Sequence, residues 1–264
     1  MTDAVTEQEH HLRGFHMTEK HGWKTYRLAV FAVFLMIVIL ILTKRWNVNT
    51  FPAGTYSVQG VDVSHYQGQI DWKALEAQGI DFAFIKATEG SGYVDECFSG
   101  NWEEAGQTGL LVGAYHCFSF DSDAGTQADL FIRTVGDLSG KLMPVVDVEY
   151  YGDKRKSPPD REKVTGELKE LLERLEAEYG VKPAIYTTHS VYGRYIKGNF
   201  TEYPLWIRNV YTPPGPYTSD WTFWQYTDTA VLEGYEGTEK YIDRNVFRGT
   251  REELEELLVN PSKS

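Results

Sequence analysis

The chain has 264 residues, of which 42% are hydrophobic, so it can form one large folded domain or two small ones rather than a disordered segment. Its formal net charge is −12, and the acidic excess lies after position 50. Nucleic-acid binding is not expected, because contacts with phosphates need clustered lysine and arginine. The two cysteines, Cys97 and Cys117, leave open one disulfide or two free thiols.

An apolar segment is the first predicted element: residues 28–42 carry no charge, no Gly and no Pro. A buried core helix, a cleaved signal peptide and an uncleaved signal anchor all fit such a segment. We favour the anchor, because the segment is apolar on every face, aromatic and basic residues flank it, and no clear cleavage site follows. The predicted organisation is a tail at 1–27, a transmembrane helix at 28–43, a polar linker at 44–57 and a folded domain at 58–264.

The positive charges around the segment predict which side of the membrane the folded domain occupies. Four Lys and Arg residues precede the segment and two follow it directly. Flanks richer in positive charge stay in the cytoplasm, so we expect the tail there and the folded domain on the outer side.

Beyond residue 57, short apolar runs alternate with helical patterns. Strands are predicted at 58–63, 82–87, 111–117, 143–148 and 183–187, with helices at 71–78, 100–108, 124–138 and 160–179. After position 203 the helical patterns stop, and strands are predicted at 205–210, 222–226 and 240–243 before a last helix at 251–258. This order predicts an α/β fold, an irregular TIM-like (βα)5β3 barrel.

Polar and aromatic residues recur where the predicted strands end. The carboxyl ends of parallel barrel strands meet at one mouth, where functional groups collect. The residues at these positions are Asp62, Glu89, Tyr115, Asp147, Glu149, Tyr186, Trp206, Gln225 and Asp243. Their convergence predicts a site rich in carboxylates.

Asp147 and Glu149 form a D-x-E unit at the end of the fourth predicted strand. Residues two apart in a strand point to the same face, so both carboxylates face the mouth. Two acids so close cannot both ionise easily, and one pKa should rise. A raised pKa suits a general acid that protonates a glycosidic oxygen, and Glu149, further out, is the better candidate.

Other polar residues have plainer interpretations. Lys86 and Glu89 are expected to pair with each other, His116 to be a core histidine, and His65 to hydrogen-bond within its own turn. No metal or other cofactor is expected, since the acids lie on different strands without nearby histidine ligands.

Eight segments in order resemble glycoside hydrolase family 25, the N-acetylmuramidase type of lysozyme. They are GVDVSHYQGQIDW (60–72), FAFIKATEG (82–90), GAYHCFSF (113–120), PVVDVE (144–149), AIYT (184–187), LWI (205–207), WQYT (224–227) and IDRNVF (242–247). The resemblance implies hydrolysis of the β-1,4 bond between N-acetylmuramic acid and N-acetylglucosamine in peptidoglycan. The protein would then be a single-pass protein of the bacterial cell membrane that acts on the adjacent cell wall.

The resemblance also implies roles for individual residues. Glu149 looks like the acid/base, and its partner carboxylates are Asp62, Asp147 and Asp243. Substrate-binding candidates are Tyr115, Tyr186, Trp206, Glu89 and Gln225. One departure is Arg208, where the family usually has a small residue. A guanidinium there could favour the lactyl or peptide carboxylates of the substrate.

Two mechanisms and three rival functions fit these residues. The D-x-E pair can use the substrate's N-acetyl group as an internal nucleophile, which we favour, or a carboxylate can activate water with inversion. The rivals are a chitinase-like hydrolase, a catalytically silent glycan-binding module, and a structural envelope protein. The longer D-x-x-D-x-D-x-E run of chitinases is absent, and the four acids count against a silent module and a structural protein.

Overall fold

The computed structural model describes residues 23–40, 42–43, 47–215, 218 and 220–260, in two units that divide after Asn47. Helix α1, Trp23–Leu40, has a mean hydropathy of 1.8 and is long and apolar enough to cross a membrane. Its side chains are largely exposed, which argues against a buried core helix. A signal sequence would have the same length and composition. Residues 1–22 of the predicted tail lie outside the described residues.

The second unit is a barrel of eight strands with one short hairpin strand outside it. The strands are β1 Val58–Val63, β2 Phe82–Glu89, β3 Tyr93–Val94, β4 Leu111–Cys117, β5 Val145–Val148, β6 Ala184–Thr188, β7 Leu205–Arg208, β8 Trp221–Ala230 and β9 Ile242–Phe247. Their order is β1-β9-β8-β7-β6-β5-β4-β2-β3, and pairing of β1 with β2 closes the barrel.

Strand direction divides the barrel. All pairs from β1 through β2 and β4 to β8 are parallel, whereas β9 runs antiparallel to both β8 and β1. The helices of this unit are α2 Thr50–Ala53, α3 Trp72–Ala77, α4 Phe98–Ala105, α5 Ala124–Val135, α6 Arg161–Tyr179, α7 His189–Val191 and α8 Arg251–Glu255. Between β7 and β9 the described residues form no α-helix, so the predicted (βα)5β3 architecture is confirmed.

The last two strands differ from their predicted bounds. β8 extends to Ala230, and the final strand covers Ile242–Phe247 rather than 240–243. The reason is pairing: β9 runs alongside β1 from Phe247 opposite Val58 to Asp243 opposite Asp62.

Helix α6 packs as its sequence predicts. Val164, Leu168, Leu171, Leu172 and Leu175 are all buried on one face. Asp160 caps the start of the helix, where its side chain accepts a hydrogen bond from Lys163 N. Gly180 ends the helix with φ 70°, the left-handed conformation that favours glycine.

Aromatic rings fill the barrel interior beneath the mouth. Phe84, Trp206 and Phe223 contact one another, with ring centroids 4.9 to 6.2 Å apart. Gly113 makes room for this packing, since a Cβ there would lie 2.4 Å from the Phe84 ring. The mouth therefore has a rigid floor.

Part of the segment predicted as a linker packs on the outside of β7–β9. Asn49 is fully buried and donates hydrogen bonds to the carbonyl oxygens of Asn209 and Tyr226, both at 3.0 Å. Ala53 is buried in the same cluster, and the Tyr56 ring contacts that of Trp221 at 5.3 Å. This segment covers a face of the barrel that has no helix of its own.

Candidate active site

The barrel mouth brings together the acids that sequence reasoning placed on separate strands. Asp62 ends β1, and Asp147 and Glu149 lie at the end of β5. Asp243 lies at the start of β9, not at a strand end, and reaches the same mouth because β9 is antiparallel and pairs Asp243 with Asp62. A cavity of about 370 Å³ opens here. It is lined by the four acids together with Tyr115, Tyr186 and Trp206.

Asp62 and Asp243 form a carboxyl–carboxylate pair. Burial raises the pKa of both groups, and more so for Asp243, whose pKa the neighbouring Asp62 charge raises further. Asp62 also accepts hydrogen bonds from Asn245 Nδ2 at 2.7 Å and Gln225 Nε2 at 3.0 Å, and these lower its pKa. The two carboxyl groups hydrogen-bond to each other and both have raised pKa values, an arrangement that favours one proton shared by the pair.

Two buried amides hold this pair from below. Gln225 accepts a hydrogen bond from the Tyr186 hydroxyl at 3.0 Å while it donates to Asp62. Asn245 accepts one from Trp206 Nε1 at 2.9 Å while it donates to Asp62. Gln225, predicted to bind substrate, is only 1% exposed, so it contacts Asp62 rather than the open cavity.

The D-x-E pair has unequal acids. Burial and the Glu149 charge raise the pKa of Asp147 well above its usual value. The Cys117 thiol, which donates a hydrogen bond to Asp147 Oδ2 at 3.4 Å, opposes this rise. Burial also raises the pKa of Glu149, but Arg208 opposes that rise. Sequence reasoning expected one raised pKa and favoured Glu149. The structure raises both pKa values and raises that of Asp147 further, because the Glu149 charge adds to burial at Asp147, whereas Arg208 opposes burial at Glu149.

Lys86 and Glu89 bond to each other, as expected, with Nζ 2.6 Å from Oε2. Burial lowers the pKa of Lys86, but its neighbours Cys117, Glu89 and Asp147, with the hydrogen bond to Glu89, outweigh that effect and raise it. Glu89 lies outside the first cavity and lines a second cavity of about 520 Å³. Both cavities include Cys117, Asp147 and Glu149, so they meet at the D-x-E pair.

Arg208, predicted to bind substrate, does not line the first cavity. Its Nη2 lies 2.6 Å from Asp228 Oδ2, and Asp228 is the partner that faces the cavity. The guanidinium is therefore already paired with an anion, which weakens the expectation that it reads the carboxylates of the substrate.

The predicted sugar-binding aromatics form walls and floor rather than open platforms. Trp206 is 2% exposed and Tyr186 6%, with their rings 4.7 Å apart edge to face. More exposed rings lie at the rim: Tyr66 and Tyr241 line the first cavity, and Tyr151 lines the second.

The two histidines considered in the sequence analysis, His116 and His65, lie outside the cavities. His116 is fully buried between Thr88 and Gln127, and burial lowers its pKa to about 4, so the prediction of a core histidine is confirmed. His65 bonds through Nδ1 to Asp95 at 2.8 Å, thirty residues away, so the prediction of a bond within its own turn was wrong.

The family model described as "Glycosyl hydrolases family 25" matches residues 61–235. The chain belongs to glycoside hydrolase family 25. Among curated relatives, "Uncharacterized protein YegX" of Escherichia coli K12 is 40% identical over 76% of this chain and 73% of its own length. "Lysozyme M1" of Streptomyces globisporus is 34% identical over 79% of this chain and 74% of its own length.

Solved structures of family 25 have the same fold. A family 25 glycosyl hydrolase from Bacillus anthracis is 52% identical, with a TM-score of 0.73 over 76% of this chain and 94% of that one. A bacterial lysozyme from Streptomyces coelicolor is 33% identical, with a TM-score of 0.70 over 77% of this chain and 98% of that one. The barrel is thus a glycoside hydrolase domain of this family.

Sequence reasoning missed several residues of this site, among them Asn245 and Asp228. Asn245 could have been found, because it lies two positions after Asp243 and residues two apart in a strand share a face. Asp228 could not. Strand β8 has register irregularities between Gln225 and Thr227 and between Thr227 and Ala230, and these decide where its side chain points.

Proposed function

We propose that the protein is a peptidoglycan muramidase, cleaving the β-1,4 bond between N-acetylmuramic acid and N-acetylglucosamine. The observation that carries the proposal is the D-x-E pair at the junction of two cavities, with the Asp62–Asp243 pair at its side. Membership of family 25 supports it, as do relatives named lysozyme and N,O-diacetylmuramidase.

In the proposed reaction Glu149 gives its proton to the glycosidic oxygen, and the bond from that oxygen to the anomeric carbon breaks. The N-acetyl oxygen of the same sugar attacks the anomeric carbon, and Asp147 orients that amide and stabilises its developing positive charge. Water then attacks the same carbon and gives its proton to Glu149, which returns to the starting state. The product retains its β configuration.

The place of Glu149 favours it as the acid, although the pKa of Asp147 is raised further. Glu149 has a raised pKa and lies at the junction of the cavities, so its protonated form would stand where a leaving oxygen would lie. The Asp62 charge is held by two amides and contributes to that raised pKa. We expect a product that retains the β configuration. NMR on soluble fragments shows which anomer forms first, and initial formation of the α-anomer would replace this route with inversion.

The substrate is tested with the full chain, purified in mild detergent, on insoluble peptidoglycan and on chitin. New reducing ends are reduced with borohydride and identified by mass spectrometry. Reduced N-acetylmuramic acid from peptidoglycan is the expected result. Reducing ends from chitin would favour a chitinase-like enzyme, and tight binding without new ends a silent glycan-binding module.

A cell-wall hydrolase acts outside the cytoplasm, and α1 is either a membrane anchor or a signal sequence. Our proposal is the anchor, with the barrel on the outer side of a single-pass protein. On fractionation of untreated cells, the barrel should then stay with the membranes. Protease added to intact spheroplasts should degrade it. Recovery of a processed barrel in the soluble fraction would favour cleavage.

A further inference from the structure

The Arg208–Asp228 ion pair has no part in the bond cleavage proposed above, although it lies beside the proposed acid. Thr188 on β6 pairs with Arg208 on β7, and β5 pairs with β6 up to the residue before Glu149. Glu149, Thr188 and Arg208 therefore continue one row across three neighbouring strands. Strands lie about 4.8 Å apart, so the backbones of Glu149 and Arg208 are roughly 10 Å from each other.

Both residues lie on the strand face that carries the mouth. Glu149 and Arg208 each lie two residues after a residue that lines the first cavity, Asp147 and Trp206 respectively, and residues two apart in a strand share a face. Long side chains from both ends of a row this short come within the range of a strong Coulomb interaction. The positive charge of Arg208 is partly buried there, at 28% exposure, where water screens it weakly.

The charged or titratable groups around the cavity that Glu149 lines come from every strand of the barrel and from its loops. They are Asp62 on β1, Lys86 on β2, Tyr115 and Cys117 on β4, Asp147 on β5, Tyr186 on β6, Asp228 on β8 with its partner Arg208 on β7, Asp243 on β9, and Tyr66, Glu239 and Tyr241 in loops. The two cations among these groups lie on opposite sides. Lys86 bonds to Glu89 and lies beside Cys117 and Asp147. Of these two cations, Arg208 is therefore the one that acts on Glu149.

We propose that Arg208 and Asp228 act together as positioning residues that set the pH range in which Glu149 keeps its proton. Arg208 favours the carboxylate form of Glu149, and Asp228, 2.6 Å from the guanidinium, limits that effect by holding and partly neutralising it. The interaction with Arg208 opposes the effect of burial on the pKa of Glu149, in agreement with this arrangement. The inference rests on the proposed role of Glu149 as the general acid.

The two partners should then give opposite effects. Activity is lost at high pH when the acid loses its proton, so that limb of the profile of kcat/KM follows the pKa of Glu149. Arg208→Gln removes the cation and should move the limb upward by about one pH unit. Asp228→Asn leaves Arg208 unpaired and should move it downward. Arg208→Lys keeps the charge and should remain close to wild type.

The experiment measures kcat/KM of the full chain in mild detergent on solubilised peptidoglycan fragments across the pH range. Arg251→Gln on α8, which breaks ion pairs with Asp81 and Glu255 far from the mouth, is the matched control and should leave the profile unchanged. Thermal melts verify that each variant folds. If Arg208→Gln does not fold, a downward shift in Asp228→Asn supports the proposal, and an unchanged or upward limb overturns it.

Shifts of both variants in the same direction, or no shift in either, would also overturn the proposal, because a merely structural ion pair has no reason to act with opposite signs. That failure is distinct from failure of the proposed function. The latter shows as absent turnover in the wild-type chain, before any variant is compared.

Discussion

The two halves of the barrel differ in what covers them and in what they contribute to the mouth. Strands β1, β2 and β4–β6 are parallel and followed by helices, and they carry Asp62 and the D-x-E pair. Strands β7–β9 have no helix between them among the described residues and are covered by the α2 segment. They carry the groups that hold those acids: Arg208, Gln225, Asp228, Asp243 and Asn245.

The reacting groups and the residues that hold them thus come from different parts of the chain. Antiparallel pairing places a residue at the start of β9 beside one at the end of β1, so Asp243 and Asp62 can share a proton. Substitution of amide or charged side chains in the helix-free half should therefore mainly reduce catalysis. In the helix-covered half, substitutions other than those of the reacting acids should mainly reduce stability.

Glu149→Gln should cause the largest effect. The general acid contributes about 10²- to 10⁴-fold to such a reaction, and turnover of peptidoglycan should fall by that amount. A substrate with a dinitrophenyl leaving group needs no protonation, so its hydrolysis should fall far less. Glu89→Gln in the same half is the control and should cost less than tenfold. Equal losses on both substrates would argue against an acid role for Glu149.

Asn245→Ala should come next, with a loss of about 10- to 100-fold in kcat and little change in KM. The variant removes a hydrogen bond to the Asp62 carboxylate and leaves Trp206 Nε1 without its acceptor, an effect of about 1.5–3 kcal/mol. Gln127→Ala, an equally buried amide from the helix-covered half, should lower the melting temperature and spare kcat of the folded enzyme. The reverse pattern would contradict the division between the halves.

Asp243→Asn should stabilise the protein, and more at neutral pH than at about pH 4. The raised pKa of Asp243 means that the folded state holds its proton more tightly than the unfolded chain, so stability is lost as pH rises through that pKa. Asparagine keeps a donor toward Asp62 without needing a proton. Thermal melts across this pH range test the sign.

The control for that experiment is Asp137→Asn, whose carboxylate has the opposite shift. Ser139 donates to Asp137 through its hydroxyl and backbone, and this lowers the pKa of Asp137. Its removal should therefore cost slightly more stability at neutral pH than in acid. An Asp243→Asn variant that is less stable than wild type at every pH would contradict the shared proton.

Asn49→Ala should have the smallest effect and no catalytic consequence. It removes hydrogen bonds to a buried carbonyl group on β8 and to a partly buried one after β7, with an expected loss of about 1–2 kcal/mol. Thr55→Ala in the same segment, an exposed residue, should leave the melting temperature within about one degree. Equal effects of the two would mean that the segment does not support the helix-free half.

The sequence predicts the helix-covered half better than the other, for a physical reason. Helical periodicity and the two-residue period of strands are local, so α6, β1 and the D-x-E pair follow from neighbouring residues. The position of Asp243 is set by its pairing with a strand far away in the chain. The burial of Asn49 within a polar segment, and the ion pair of Arg208, likewise depend on long-range contacts that no local pattern carries.

The most direct test of the account compares wild type with Glu149→Gln on insoluble peptidoglycan, by mass spectrometry of the borohydride-reduced ends. We expect reduced N-acetylmuramic acid from wild type and a loss of at least about a hundredfold in the variant, which should still sediment with the polymer. Equal amounts of new ends from both proteins, or reduced N-acetylglucosamine as their only product, would contradict a muramidase whose acid is Glu149.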